Sequence, residues 1–300
     1  MSFQLTILTA TYNRAHLLPD LYASLCRQTC MDFVWIVIDD GSVDDTSSLL
    51  AKWEGEKKGF RMIWCSQSNS GKNRAINKGV SMVTTPYTMI VDSDDYLTDD
   101  AVEFVLGGIN SISDYNSMAG LAGLRGESAF KSLNLMSENY VDANNIERCK
   151  YGLEKDCCEV YRSDLLRSHP FFVWEGEKFV PEEVVWNQLA LEGWRLRWFN
   201  KVICIVRYQE EGLTKKSWNL LKNNPMGYAM MYNHRLLYVT SIRDKCYQII
   251  QMISCAILAR NFPYIFSSNE KILSYLLLPL GWLTAQRRKM QFDRLSCNID

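Results

Sequence analysis

Residues 87–95 read YTMIVDSDD, an apolar run that ends abruptly in three carboxylates, Asp92, Asp94 and Asp95. The apolar part is short and lacks clean alternation, the pattern of a parallel strand covered on both faces. Three earlier runs, at residues 5–8, 34–38 and 62–64, have the same character and are separated by stretches with helical periodicity. That rhythm is the rhythm of βαβ units, and it predicts an α/β fold whose first 110 residues form an open, mostly parallel, Rossmann-like sheet flanked by helices. Ligands of such sheets gather at the carboxyl ends of the strands. The segments found there are Thr9-Ala10-Thr11-Tyr12-Asn13-Arg14, Asp39-Asp40-Gly41-Ser42, Asn69-Ser70-Gly71-Lys72 and Asp92-Ser93-Asp94-Asp95, all expected on one rim.

Side chains alternate along an extended chain, so Asp92 and Asp94 project to one side and repel each other unless a cation lies between them. A Mg2+ or Mn2+ ion, held by one or two carboxylates together with substrate phosphates, would satisfy that arrangement. The plainer alternative is a solvated turn, with Asp99 and Asp100 capping the next helix. Asp39 and Asp40 also follow a buried strand, with Gly41 free to take a positive φ and Asp44 or Asp45 able to cap a helix. They make either a strand-to-helix turn or a carboxylate pair that accepts hydrogen bonds from a nucleoside base or ribose. Lys72 and Arg74 could neutralise phosphates, or be solvated cations at a helix start.

The strings LTATYNR, VIDDGSVDDT, NSGKNRAINKG and VDSDD, taken in order and spacing, resemble the nucleotide-binding half of family 2 glycosyltransferases with a GT-A fold. The resemblance is strong over residues 3–105 and continues more loosely to about residue 214. It implies that Thr9, Thr11 and Arg14 lie beside the nucleotide, that Asp39 and Asp40 read base and ribose, and that Lys72 and Ser93 line the nucleotide-sugar pocket. Asp92 and Asp94 would hold Mg2+ or Mn2+ on the diphosphate. The family's second signature, an acidic pair followed by an aromatic at a helix start, is matched by Pro181-Glu182-Glu183-Val184-Val185-Trp186. Glu183 stands where Asp is common, which leaves both Glu182 and Glu183 open as the catalytic base. Without the family the pair reads as ordinary helix-start charge, favoured there by the helix dipole.

The reaction so implied is a single inverting displacement. A carboxylate takes the proton of an acceptor hydroxyl while the diphosphate departs, and no covalent nucleophile is needed. The donor would be a nucleotide-diphosphate sugar, a UDP-sugar foremost, and the acceptor a saccharide or lipid-linked glycan of capsule, O-antigen or lipopolysaccharide synthesis. Processive relatives carry Gln-x-x-Arg-Trp and spanning helices, which this sequence lacks, so one sugar is added. His16, His169 and His234 are too scattered for a metal motif. The chain has neither Gly-x-Gly-x-x-Gly after the first strand nor a P-loop, which excludes nicotinamide dehydrogenases and P-loop NTPases. A non-catalytic nucleotide-sugar-binding or scaffolding module would keep the strand-end aspartates and lose the base, and the glutamate at 183 is the feature favouring it.

Composition agrees with a folded enzyme. Of 300 residues, 47% are hydrophobic and 22% charged, and a net charge of -1 gives no reason to expect a nucleic-acid partner. Ten cysteines without Cys-x-x-Cys, no Asn-x-Ser/Thr and no leader pattern at the start point to reduced thiols and a cytoplasmic location. The expected domains are a GT-A domain over 1–215, with a nucleotide-sugar half at 1–106 and an acceptor half at 107–215, then a helical region over 216–300. Within the acceptor half, 107–140 reads as loops, with an irregular strand over the sheet rim as the alternative, and with no site; 183–192 reads as a helix and 195–206 as a strand completing the sheet. From 216 onward there are 11 basic and 4 acidic residues, a local excess of +7. The apolar run 272–285 contains Pro279 and Gly281 and falls short of the roughly 20 residues that span a bilayer. With Gln286-Arg287-Arg288-Lys289 behind it, 272–289 reads as a peripheral contact with an anionic membrane surface on its inner face. The alternative is a buried helix, or a contact in a homo-oligomer.

Overall fold

The computed structural model describes residues 3–126, 140–153, 156–206 and 217–297. The chain divides into two compact units, one of residues 1–170 with 185–208 and the other of 171–184 with 209–300. The expected boundary near 215 and residues 127–139 of the 107–140 stretch lie outside the described residues.

In the first unit the four apolar runs become β1 (Leu5–Thr11), β2 (Phe33–Asp39), β3 (Arg61–Ser66) and β4 (Tyr87–Ile90). Between them lie α1 (Leu18–Cys26), α2 (Thr46–Gly55) and α3 (Lys72–Met82). β1 pairs in parallel with both β2 and β4, and β2 with β3, so the order β3-β2-β1-β4 brings four strand ends to one edge. Every residue of β2 is buried, as its unbroken apolar run requires. Trp35 anchors one face: its indole N–H donates to Thr9 Oγ1 at 3.2 Å, and Tyr22 stacks on the neighbouring Trp53 at 4.2 Å.

β5 (Tyr96–Leu97), α4 (Ala101–Asn110), β6 (Met118–Gly126), β7 (Tyr140–Ala143), β8 (Cys157–Arg162), α5 (Ser163–Ser168), α6 (Glu183–Leu191) and β9 (Arg195–Ile205) follow. The sheet extends from β4 through β8, β6 and β9 to β5, with β7 also on β9. β8 runs antiparallel to β4 and to β6, and β6 runs parallel to β9, so this half is mixed. The helix and strand expected at 183–192 and 195–206 are found as α6 and β9.

In the 107–140 stretch the irregular strand is found as β6, residues 118–126, and it lies buried between β8 and β9 within the sheet rather than over its rim. Its sequence, MAGLAGLRG, is poor in β-branched residues because the neighbours come too close for them. At Gly120 the φ is +150°, and a Cβ would lie 1.9 Å from the Val160 carbonyl oxygen on β8. The glycines permit the strand and hide it from a propensity reading.

The second unit is helical, as expected for its C-terminal part, with α7 (Ser217–Asn223), α8 (Pro225–Arg235), α9 (Ile242–Leu258), α10 (Lys271–Leu276) and α11 (Leu278–Cys297). Its core combines Val180 and Val184 with Met226, Ile249, Met252 and Ile253. Glu177 caps α8, accepting the Met226 and Gly227 N–H groups at 2.7 Å each. Among the described residues no helix is long and apolar enough to cross a membrane.

Candidate functional site

The loops after β1, β2 and β3 are joined by their own polar groups. Asn13, at φ 53°, accepts the Val43 N–H through Oδ1 at 2.8 Å, while the Asn13 N–H donates to Ser42 Oγ at 2.9 Å. The Ala15 N–H donates to Asp44, and Asp44 also accepts the Thr46 N–H at the start of α2. Gly41 has the expected positive φ of 78°, and a Cβ there would lie 2.8 Å from the Asn69 nitrogen. Glycine thus lets the second loop pass against the third.

Asp39 and Asp40 organise these loops. Asp39, with no exposed surface, accepts the Ser42 N–H at 3.0 Å, the Ser42 hydroxyl at 2.5 Å and the Ser47 hydroxyl at 2.7 Å. Asp40 accepts the Gln67 amide at 2.8 Å and the N–H groups of Ser70 and Gly71 at 2.9 and 2.7 Å, which fixes the turn leading into α3. Thr9 is spent on Trp35. Thr11, 3% exposed, has a buried Oγ1 with no hydrogen-bond partner among the described residues.

The carboxylates after β4 lie among cations. Lys72, first residue of α3, reaches Asp92 Oδ1 at 2.6 Å. From the end of β6, Arg125 Nη1 donates to Asp92 Oδ2 and to Asp95 Oδ2 at 3.3 Å each, and Arg125 Nε is buried without a partner among the described residues. Arg14 faces Asp94 at 3.7 Å, beyond hydrogen-bond distance. Burial disfavours the charge on Asp92, but the Lys72 ammonium and Arg125 guanidinium override it and hold the carboxyl well below the usual carboxylate range. Burial pushes Asp95 up to about 7 against the pull of Arg125, with Asp92 and Asp94 adding to the rise. Ser93 is buried between the two expected metal ligands. Asp99 and Asp100 are spent elsewhere, on Arg27 and Lys201. Among the described residues no group of three His, Cys, Asp or Glu side chains could hold a metal by itself.

The first unit therefore brings together Arg14, Lys72, Asp92 and Asp94 as one charged cluster, with Asp39 and Asp40 shaping the loops that carry it. Asp95 was placed on the rim without a role, and Arg125 was missed. The available signal for Arg125 was an arginine closing an apolar small-residue run, LAGLR, which a strand reading would have placed at the same edge.

Glu182 and Glu183 belong to the second unit. Both are half-buried at the start of α6, and Glu183 accepts two hydrogen bonds from Arg235 of α8, at 2.6 and 2.7 Å. Two parallel N–H···O bonds fix the orientation of the carboxylate. In the first unit Trp186, one turn further along, stacks on Tyr161 at 4.3 Å, which accounts for the aromatic of the signature.

Residues 6–168 match the family described as "Glycosyl transferase family 2". An uncharacterized glycosyltransferase, YaiP, of Escherichia coli K12 is 26% identical over 222 residues, 71% of this chain and 52% of its own length. The teichoic acid poly(glycerol phosphate) polymerase of Staphylococcus epidermidis is 27% identical over 55% of this chain and 23% of its own. A PGL/p-HBAD biosynthesis glycosyltransferase of Mycobacterium bovis is 34% identical over 31% of this chain and 36% of its own. The chain thus spans about half or less of these relatives. Among solved structures, S. aureus TarS 1–349 in complex with UDP-GlcNAc superposes with TM-score 0.59 and 13% identity, covering 97% of this chain and 92% of that one. The mannosyltransferase PcManGT of Pyrobaculum calidifontis, in complex with GDP-Man and Mn2+, gives TM-score 0.59 and 16% identity over 95% and 84%. These likenesses establish the GT-A fold.

Proposed function

From the premise that this chain belongs to glycosyl transferase family 2, we propose that it is an inverting, non-processive glycosyltransferase that moves one sugar from a nucleotide-diphosphate sugar to a saccharide or lipid-linked acceptor. The observation that carries this reading is the cluster of Asp92 and Asp94 with Lys72, Arg125 and Arg14 at the strand ends. A diphosphate needs cations, and these side chains supply them in a rim already positioned by Asp39 and Asp40. Thr11 Oγ1 and Arg125 Nε, buried without partners among the described residues, are polar groups a bound ligand would satisfy. The titles of the similar structures name UDP-GlcNAc and GDP-Man, which supports a nucleotide-sugar donor. A UDP-sugar is the first to test.

A divalent ion fits this donor set. Asp94 is half-buried, its Arg14 contact is longer than a hydrogen bond, and a hard carboxylate oxygen suits Mg2+ or Mn2+. Asp94 would be the principal ligand, with Asp92 beside it already neutralised by Lys72 and Arg125. Such an ion, when bound, supplies charge for the departing diphosphate. Lys72 and Arg14 add positive charge from the protein at the same rim.

Proton transfer falls to Glu182-Glu183. Arg235 orients Glu183 through two hydrogen bonds, so Glu183 is the preferred base and Glu182 the alternative. In a donor-consumption assay Glu183→Gln is expected to lower turnover about 100-fold or more while leaving donor affinity near wild type. Wild-type turnover in both Glu183→Gln and Glu182→Gln would place the base elsewhere.

Relatives named for teichoic acid and PGL biosynthesis support a surface-glycan setting, of which capsule, O-antigen and lipopolysaccharide synthesis are the forms we propose. The same reading has the protein in the cytoplasm, peripheral on the inner face of the membrane, with 272–289 in contact with anionic lipid.

A further inference from the structure

The helix pair α10–α11 has one face packed within the second unit and one face open. The packed stripe is Ser274, Gly281, Ala285, Arg288 and Phe292, all buried and spaced at three, four or seven residues. Gly281 permits the close approach to α9, since a Cβ there would lie 2.3 Å from Ile253 Cγ2. Arg288, expected at the sequence level to face headgroups, turns inward: its guanidinium donates to Ser254 Oγ at 3.1 Å and to Gln251. The segment is therefore neither a fully buried helix nor a uniformly exposed one.

Outside that stripe Ile272, Tyr275 and Leu276 of α10 and Leu280, Trp282 and Leu283 of α11 are exposed, Leu280 and Trp282 flanking Gly281 on either side. Ile272 is 78% and Leu276 70% exposed, where a helix facing water would carry polar side chains. Phe266 widens the patch, its ring 5.2 Å from that of Tyr275. Further along α11 the exposed residues include the basic Arg287, Lys289 and Arg294, with Met290, Gln291 and the acidic Asp293 among them.

We propose that this face docks in the plane of an anionic lipid surface, the α10 and early α11 side chains entering the acyl boundary and Arg287, Lys289 and Arg294 meeting the headgroup phosphates. The order of residues selects that occupant. Exposed tyrosine and tryptophan suit the interface between hydrocarbon and water, and cations at the end of an apolar row match anionic headgroups. A second copy of the same face would set like charges against each other. The docking deepens the partner reading given above, yet it stands apart from the transfer reaction, because donor affinity in solution does not depend on it.

The test is co-sedimentation of the full chain with vesicles of phosphatidylcholine alone or with about one-third phosphatidylglycerol, alongside UDP titration and light scattering. The wild type is expected to bind the anionic vesicles in a salt-sensitive way and the neutral ones weakly. Leu276→Asn with Leu283→Asn should weaken binding about tenfold or more, and Arg287→Gln with Lys289→Gln roughly fivefold per cation removed. Both variants should keep wild-type UDP affinity, which separates this proposal from the donor-site reading. Ile272→Asn, at the most exposed of these positions, serves as the second apolar variant if the double one fails to fold. Wild-type vesicle affinity in the apolar variants, or equal binding to neutral vesicles, would overturn the proposal. So would a vesicle-free dimer that Leu276→Asn with Leu283→Asn converts to monomer, since a second copy would then cover the face.

Discussion

Asp92 and Asp94 stand two residues apart and meet different company. Asp92 is engaged by Lys72 at 2.6 Å and by Arg125 at 3.3 Å, whereas Asp94 faces Arg14 at 3.7 Å. We therefore propose that Asp92 holds the cationic rim together and that Asp94 takes the ion. Asp94→Ala should lose the Mn2+-dependent part of nucleotide affinity and keep the wild-type melting temperature, as measured by calorimetric titration and thermal unfolding. Arg125→Gln should instead act on stability. It strips Asp92 and Asp95 of a shared partner, and loss of one member of a largely buried charge cluster costs about 3–5 kcal/mol. Arg27→Gln, which breaks the exposed pair with Asp99, should cost about 0–1 kcal/mol in the same denaturant titration. Equal costs would contradict the difference drawn here. At this scale the strand-end carboxylates were legible because they end apolar runs, and Lys72 through the resemblance that places it in the pocket. Arg125 was not, because its strand was expected only as an irregular one over the rim.

Strand β6 shows why a buried element can read as loops or an irregular strand in sequence. Its glycines and alanines are chosen by the closeness of β8, a tertiary constraint with no local signature. Two neighbouring glycines separate that constraint from ordinary propensity. At Gly107, exposed on α4, nothing lies within 4 Å of an added Cβ, whereas at Gly120 the Val160 carbonyl would be struck. Gly107→Ala should stabilise by about 0.5–1 kcal/mol through the unfolded chain. Gly120→Ala should destabilise by roughly 2 kcal/mol or more, because the strand must shift from its partner. Helix α8 carries a pH prediction. Burial lowers the His234 imidazole from its usual 6.5, against a smaller opposing pull from Glu183. The folded state thus takes up this proton less readily than the unfolded chain, so its contribution is present above pH 6.5 and is lost as pH falls through the region below. His234→Gln should shrink the drop in melting temperature between neutral pH and pH 5.5. An undiminished drop would assign the pH sensitivity to other groups.

At the scale of the molecule, the α/β order of the first hundred residues could be read from periodicity alone, and it placed four strand ends on one edge as found. The division into units could not. Residues 171–184 supply Val180 and Val184 to the helical core, so the acidic pair Glu182-Glu183 belongs to the unit that continues in the C-terminal helices. A contiguous boundary near 215 assumes that a domain is one stretch of chain, and here the second core is built from two. The charge excess of the C-terminal part was legible by counting, yet which of its cations face outward was decided by packing, as the inward Arg288 shows. The central claim is that the strand-end cluster binds a nucleotide diphosphate with the help of a divalent ion. Its most direct test is calorimetric titration of the full chain with UDP, GDP, dTDP and CMP, each with and without Mn2+. Binding of one nucleoside diphosphate that strengthens with Mn2+ is the predicted result; no binding by any of them under either condition would contradict the account.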